Sequence, residues 1–133
     1  MNCVILDGFA AAGNDLDFQP IRDLCERVTV YQRTPAEEVI RRIGSAQAVL
    51  TNKCVIHREV MDHCPRLEYI GITATGCNVV DLKAAQEKGI TVTNVPGYST
   101  QAVAQQVFAY LLDCTNQVAS LNRQVQQLSL IHI

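Results

Sequence analysis

Thr73-Ala74-Thr75-Gly76 follows a short apolar run and is the part of this chain best suited to hold a small anion. Backbone N–H groups in a glycine turn can converge on one spot and cradle a carboxylate. Thr75 and Gly76 are well placed for that. Lys53 follows an earlier strand-like run, so its ammonium can reach the same end of a sheet. Lysine is a mobile point charge and adds attraction more than geometry. A plainer reading stands beside this one: Gly76 only turns the chain and Lys53 only solvates an edge, as most loop glycines and surface lysines do.

Other chemistries find no support in the spacing. The glycines at 8, 13, 44, 71, 76, 89 and 97 cannot be written as G-x-G-x-x-G, so the dinucleotide fingerprint is absent. Gly71 and Gly76 have phosphate-loop spacing, but Cys77-Asn78 stands where Lys-Ser/Thr is required. There is no serine nucleophile elbow and no H-E-x-x-H. Asn52-Lys53 ends a strand-like run where a phospho-accepting receiver domain would need a carboxylate. The six cysteines, at 3, 25, 54, 64, 77 and 114, contain no C-x-x-C and no zinc-ligand spacing with histidine. Most fall where an apolar residue would fit, which predicts reduced buried thiols in a cytoplasmic protein. Cys77, in the loop, is the one candidate for a reactive thiol. His57 and His63 lie six apart without a metal partner and read as surface residues.

A chain of 133 residues suits one domain with a real core. Its formal charge of −2 argues against a nucleic-acid surface, which carries a basic excess. Its apolar runs fall short of membrane-spanning length. MNCVILDGF lacks the regions of a signal peptide and looks like a first strand.

The elements that must position these residues alternate between β-rich runs and helical patterns. That predicts an α/β fold with a parallel sheet. Strands are expected at 3–6, 28–31, 48–51, 69–72 and 90–93, and a loop at 7–17. Helices are expected at 18–27, with Ile21, Leu24 and Cys25 on one face, and at 58–64 and 82–88. Thr34-Pro35-Ala36-Glu37 reads as a capping box that starts another helix, with Val39, Ile40 and Ile43 inward and Gly44 at its end. Asp81 caps the helix from Leu82, and Gly89 supplies its C-terminal turn.

After Thr100 the apolar spacing changes. Val103, Val107, Tyr110, Cys114, Val118, Leu121 and Val125 recur every three or four residues. They predict one long helix, about 25 residues, with an apolar stripe that needs a neighbouring domain or subunit. The last six residues, Leu128-Ser129-Leu130-Ile131-His132-Ile133, resemble one reading-frame translation of a common transposase sequencing adapter. They are therefore expected to lie outside the natural protein, with no role for His132.

Several ordered segments resemble the D-isomer-specific 2-hydroxyacid dehydrogenases. They are Thr51-Asn52-Lys53, the stretch from Ile70 to Gly97 (IGITATGCNVVDLKAAQEKGITVTNVPG) and the run from Tyr98 to Ala109 (YSTQAVAQQVFA). The flavour is that of the glycerate dehydrogenase or hydroxypyruvate reductase branch, and the likeness runs from about residue 2 to about residue 125. It implies a flavodoxin-like substrate domain at 1–97. Residues 98–127 would be a crossover and long helix toward a Rossmann domain that binds NAD or NADP and lies beyond this sequence. It also implies that the Thr75 and Gly76 amides hold the substrate carboxylate, and that Ser99 lines the cleft at the crossover. The family's histidine acid, its acidic partner and its arginine come later in the family's chain, so no catalytic residue carries over. Gln106 departs from a common pattern with histidine at that place.

The resemblance thus implies the front part of an oxidoreductase acting on a small 2-keto or 2-hydroxy acid, a homodimer when full length, and inactive as this segment alone. Two other readings stay open: a stand-alone carboxylate-binding module, and a non-catalytic ligand-sensing relative.

Overall fold

A computed structural model describes residues 1–127 other than Asn14 and Leu16. The adapter-like tail lies outside the described residues. The chain divides into two compact units, Met1–Pro96 and Gly97–Ile133.

The first unit is an α/β fold built on five parallel strands. These are β1 (Asn2–Ile5), β2 (Arg27–Val30), β3 (Ala48–Thr51), β4 (Tyr69–Ile72) and β5 (Thr91–Thr93). Their spatial order is β2-β1-β3-β4-β5. That is the flavodoxin-like order, in which the chain reverses its direction of progress between β1 and β3. Five helices join the strands: α1 (Gly8–Ala12), α2 (Gln19–Arg22), α3 (Val39–Ile43), α4 (Arg58–His63) and α5 (Leu82–Glu87).

Strand alternation sends Val4, Val49 and Ile70 to one face, aligned in register. There they meet Ile43 of α3, Met61 of α4 and Ala84 of α5 in a single buried cluster. Each fully buried aliphatic side chain contributes about 1.5–3 kcal/mol over leaving it in water. On the opposite face Leu50 of β3 lies beside Gly71 of β4. A Cβ at Gly71 would collide with the end of the Leu50 side chain, so a larger residue there would require Leu50 to shift.

Local sequence explains some elements well. The Asp81 side chain accepts the Ala84 N–H at 2.9 Å and caps α5. At the other end Gly89 takes φ +70°, the Ile90 N–H donates to Ala85 and the Gly89 N–H to Gln86. This pair of bonds is a Schellman motif, and it needs the left-handed residue that glycine supplies. Val39 and Ile43 are buried, as their spacing predicts.

Other expectations are corrected. Thr34 caps no helix. Pro35 holds the N-terminal position of a 3-10 turn, Ala36–Glu38, that leads into α3. The Thr34 hydroxyl instead donates to the Leu6 carbonyl and accepts from Arg42 at 2.8 Å. A strand-end carbonyl and a guanidinium have outcompeted the helix amides. The expected helix at 18–27 shrinks to α2, and Leu24 is 81% exposed rather than inward. The expected loop at 7–17 contains α1, because a Phe-Ala-Ala-Ala run favours helix once Gly8 starts it.

The second unit contains two helices, α6 (Thr100–Asn116) and α7 (Val118–Gln127), rather than one. Gln117 between them is left-handed, at φ 48°. Just before it the Thr115 hydroxyl donates back to Leu111 and Leu112, at 3.0 and 3.2 Å. Such back-bonding competes with the helix ladder and accompanies the break. Along the stripe Val103, Val107, Tyr110, Val118, Leu121 and Val125 are each at least half exposed. Among the described residues, no helix is long and apolar enough to cross a membrane.

Candidate functional site

The carboxyl ends of parallel strands gather loops, and here four of those loops are tied together. Asp7 follows β1 and is buried. Its carboxylate accepts the backbone N–H groups of Asn52 and Cys54, at 2.8–3.1 Å, and also that of Lys53 between them. Three successive amides thus close on one side chain, as in an anion nest. The Thr51 hydroxyl donates to the Cys54 carbonyl at 3.0 Å and tightens the same turn.

The β3 loop passes the constraint on. The Asn52 side-chain amide donates to the Thr73 carbonyl at 2.7 Å, and the Thr73 N–H donates to the Thr51 carbonyl at 2.9 Å. The β4 loop is held in turn by the β5 loop. Asn94 Nδ2 donates to the Thr75 carbonyl at 2.7 Å, the Thr75 hydroxyl to the Val95 carbonyl at 3.1 Å, and the Val95 N–H to the Ala74 carbonyl at 3.0 Å.

Within this framework the Thr75 carbonyl and hydroxyl are both engaged. The N–H groups of Thr75 and Gly76 are not: among the described residues neither has a hydrogen-bond partner, and both residues are exposed. Exposed donors on a stapled loop are free to take a ligand without first breaking a protein contact. Gly76 is not in the left-handed region, so its role is not a turn that only glycine can make. A Cβ there would come within 3.0 Å of Asn78 Oδ1 and would crowd the same spot.

Lys53 is exposed, and its position is fixed through its own backbone N–H on Asp7. It lines a cavity at the ends of β1 and β3 that neither Thr75 nor Gly76 lines. Ser99 belongs to the second unit, where it occupies the N-terminal cap of α6 without a side-chain capping bond.

Cys77 is partly buried and packs against the core. His57 and His63 are exposed, and the His63 ring bonds the Glu59 carbonyl at 2.8 Å. Burial, helped by the Asp7 charge, pushes the Cys54 thiol up to about 11. Cys54 is therefore an un-ionised thiol at neutral pH and a poor nucleophile. No group of three or more His, Cys, Asp or Glu side chains among the described residues is placed to hold a metal.

Sequence reasoning put forward Lys53, Thr75 and Gly76 and gave Asp7 and Asn52, which order the loops around them, no role in the site. An acidic residue at the end of a first strand carries no local mark, because its partners lie 45–47 positions downstream. The one available signal was Asn52 itself, a polar residue directly after a buried strand.

Known proteins align with both the sequence and the fold. The chain is 44% identical over 130 residues to a hydroxypyruvate reductase of Blautia hydrogenotrophica, covering 96% of this chain and 40% of that protein. It is 35% identical over 71 residues to a glycerate dehydrogenase of Methylorubrum extorquens, covering 53% of this chain and 23% of that one. An acyclic imino acid reductase solved with NADPH and D-Arg superposes with a TM-score of 0.75 at 24% identity, covering 96% of this chain and 41% of its own. The chain therefore spans about 40% of the length of the hydroxypyruvate reductase it resembles. Residues 5–126 match the model of the D-isomer specific 2-hydroxyacid dehydrogenase catalytic domain, and the chain belongs to that family.

Proposed function

We propose that this chain is the acid-gripping part of an NAD(P)-dependent oxidoreductase. The whole protein would interconvert a small 2-keto acid, such as hydroxypyruvate or glyoxylate, with its 2-hydroxy acid. The observation that carries the proposal is the pair of unpartnered amides at Thr75 and Gly76, on a loop stapled from both sides, in a chain with this relative.

The substrate carboxylate would lie on the two amides, with its C2 carbonyl turned outward. Lys53 would add long-range attraction for the acid. The Asn52–Thr73 bond would hold the β3 and β4 loops in one register so that the acid meets a preformed surface. The nicotinamide supplies the hydride when bound. None of the glycines in this chain forms the pattern that binds its pyrophosphate, so the cofactor would be held by another part of the whole protein. Ser99 enters the site through the family resemblance alone. This segment by itself would be inactive. The exposed apolar stripe on α6 and α7 supports further protein contact in the whole molecule, as in a homodimer, and a cytoplasmic location accords with the thiol usage.

Titrating the isotopically labelled chain with glyoxylate, and with its neutral amide, tests the grip. Amide resonances of Thr75 and Gly76 should move with the acid and not with the amide. Equal shifts with both, or shifts confined to other loops, would count against the site. Reading the gene beyond codon 127 tests the activity: G-x-G-x-x-G followed by Arg, an acidic residue and His is expected, and an intact frame without them would sink the dehydrogenase.

A further inference from the structure

The first unit holds a cavity of about 380 Å³ at the ends of β1 and β3, lined by neither Thr75 nor Gly76. Its size falls in the range of roughly 300–1,000 Å³ typical of small-molecule sites. It lies at the reversal point of the strand order, where open α/β sheets place ligands. We propose that it is a second binding site, for a monocarboxylic acid with a compact apolar body.

The apolar wall is made by Phe9, Ala36, Val39 and Val55. Phe9 and Val55 remain 46% and 42% exposed, so apolar surface is left in a concave place that a ligand can cover. Two exposed cations, Arg33 and Lys53, line the cavity, and among the described residues neither enters an ion pair. Arg33 lies over the Phe9 ring, 5.0 Å from its centre. The carboxylate that also lines the cavity, Asp7, is occupied by the backbone amides of the β3 loop. An incoming acid therefore meets two free positive charges and one committed negative charge.

The cations are held by their backbones. Arg42 donates to the Arg33 carbonyl at 2.7 Å and to the Thr34 hydroxyl at 2.8 Å. The Lys53 N–H is clasped by Asp7. Their Cα positions are fixed before a ligand arrives, which lowers the ordering cost of binding. The acid group would sit between Arg33 and Lys53, and the apolar body would lie on Phe9, Val39 and Val55. The inference does not depend on the dehydrogenase reading.

The test titrates the full 133-residue chain with phenylacetate, acetate and 2-phenylacetamide, following amide resonances. Phenylacetate should bind at least about tenfold tighter than either control, because each control lacks one half of the recognition. Its shifts should centre on Phe9, Arg33 and Val55. Arg33→Gln and Ala36→Phe change exposed positions, and each should weaken phenylacetate binding at least about fivefold. Gly76→Val should leave it unchanged. Binding of the neutral amide as tight as that of the acid would overturn the proposal. So would shifts centred on Thr75 and Gly76, or full affinity in both cavity variants. The comparison of acid with amide on the parent chain decides the matter even where a variant folds poorly.

Discussion

The Asp7 carboxylate grips the Asn52 amide with both of its oxygens, at 2.8 and 2.9 Å. This contact joins the end of β1 to the loop after β3. Asn52 then uses its side chain to hold Thr73, at the start of the β4 loop. One buried acid therefore sets the height of the two loops that carry Lys53 and Thr75. In chemical terms Asp7 is a positioning residue: in this framework it orders the surface that an acid would meet.

Replacing Asp7 tests that ordering. Hydrogen bonds to a charged group contribute about 1.5–3 kcal/mol each, although bonds sharing one acceptor do not add fully. Asp7→Asn keeps the shape but turns an NH₂ group toward backbone N–H donors. We expect a loss of about 2–4 kcal/mol in unfolding free energy, read from urea denaturation. A change below about 0.5 kcal/mol would mean that the three amides find water as readily as the carboxylate.

Asn52→Ala removes the link to Thr73 and leaves Asp7 in place. Thr73 is only partly buried, so its freed carbonyl should find water. Stability should fall by about 1 kcal/mol. Hydrogen exchange at the β4 loop should rise more than exchange in β1, since the cut lies between loops. Uniform acceleration across the sheet would show that Asn52 serves the core and not the loop.

Gly76→Val bears on the acid grip in the whole enzyme. The new side chain would crowd Asn78 and cover the Gly76 N–H. Apparent KM for the keto acid should rise about tenfold or more, with little change in KM for the reduced nicotinamide. Equal changes in both constants would indicate a disturbed fold and remove Gly76 from the carboxylate site.

What the sequence made legible follows the range of the interactions. Asp81 and Gly89 act on residues within five positions, so their types and spacing were enough to place a cap and a Schellman turn. The five strands are short β-rich runs between turn signals, and they pair in parallel. Thr34 has an equally clear local signature, yet its hydroxyl is taken by Leu6, 28 residues away. Asp7 was unreadable for the same reason. Gln117 shows a different limit: the apolar spacing of the sequence runs through it unchanged, although a left-handed residue there separates α6 from α7. Periodicity records which face is apolar and not whether the axis is continuous.

Cys54 gives a pH-dependent prediction. Its thiol is pushed from the ordinary 9.0 up to about 11, first by burial and then by the negative charge of Asp7. Well below pH 9 both folded and unfolded chains keep the proton, and Cys54 adds no pH dependence. Between pH 9 and about 11 the unfolded chain ionises this thiol while the folded chain does not. The unfolded state then holds fewer protons, so stability must fall as pH rises through that window. Cys3, itself pushed up to about 12 mainly by burial, also titrates in alkali. The Cys54→Ser variant isolates the Cys54 share, because it keeps a donor for the Thr34 carbonyl but has no thiol to ionise. Urea melts at pH 8, 9, 10 and 10.5 should show a shallower decline for the variant than for the parent. In the folded chain at pH 8, iodoacetamide should reach exposed Cys114 well before Cys54. Parallel declines, or alkylation of Cys54 as fast as Cys114, would show that the β3 loop opens far more readily than the Asp7 clasp allows.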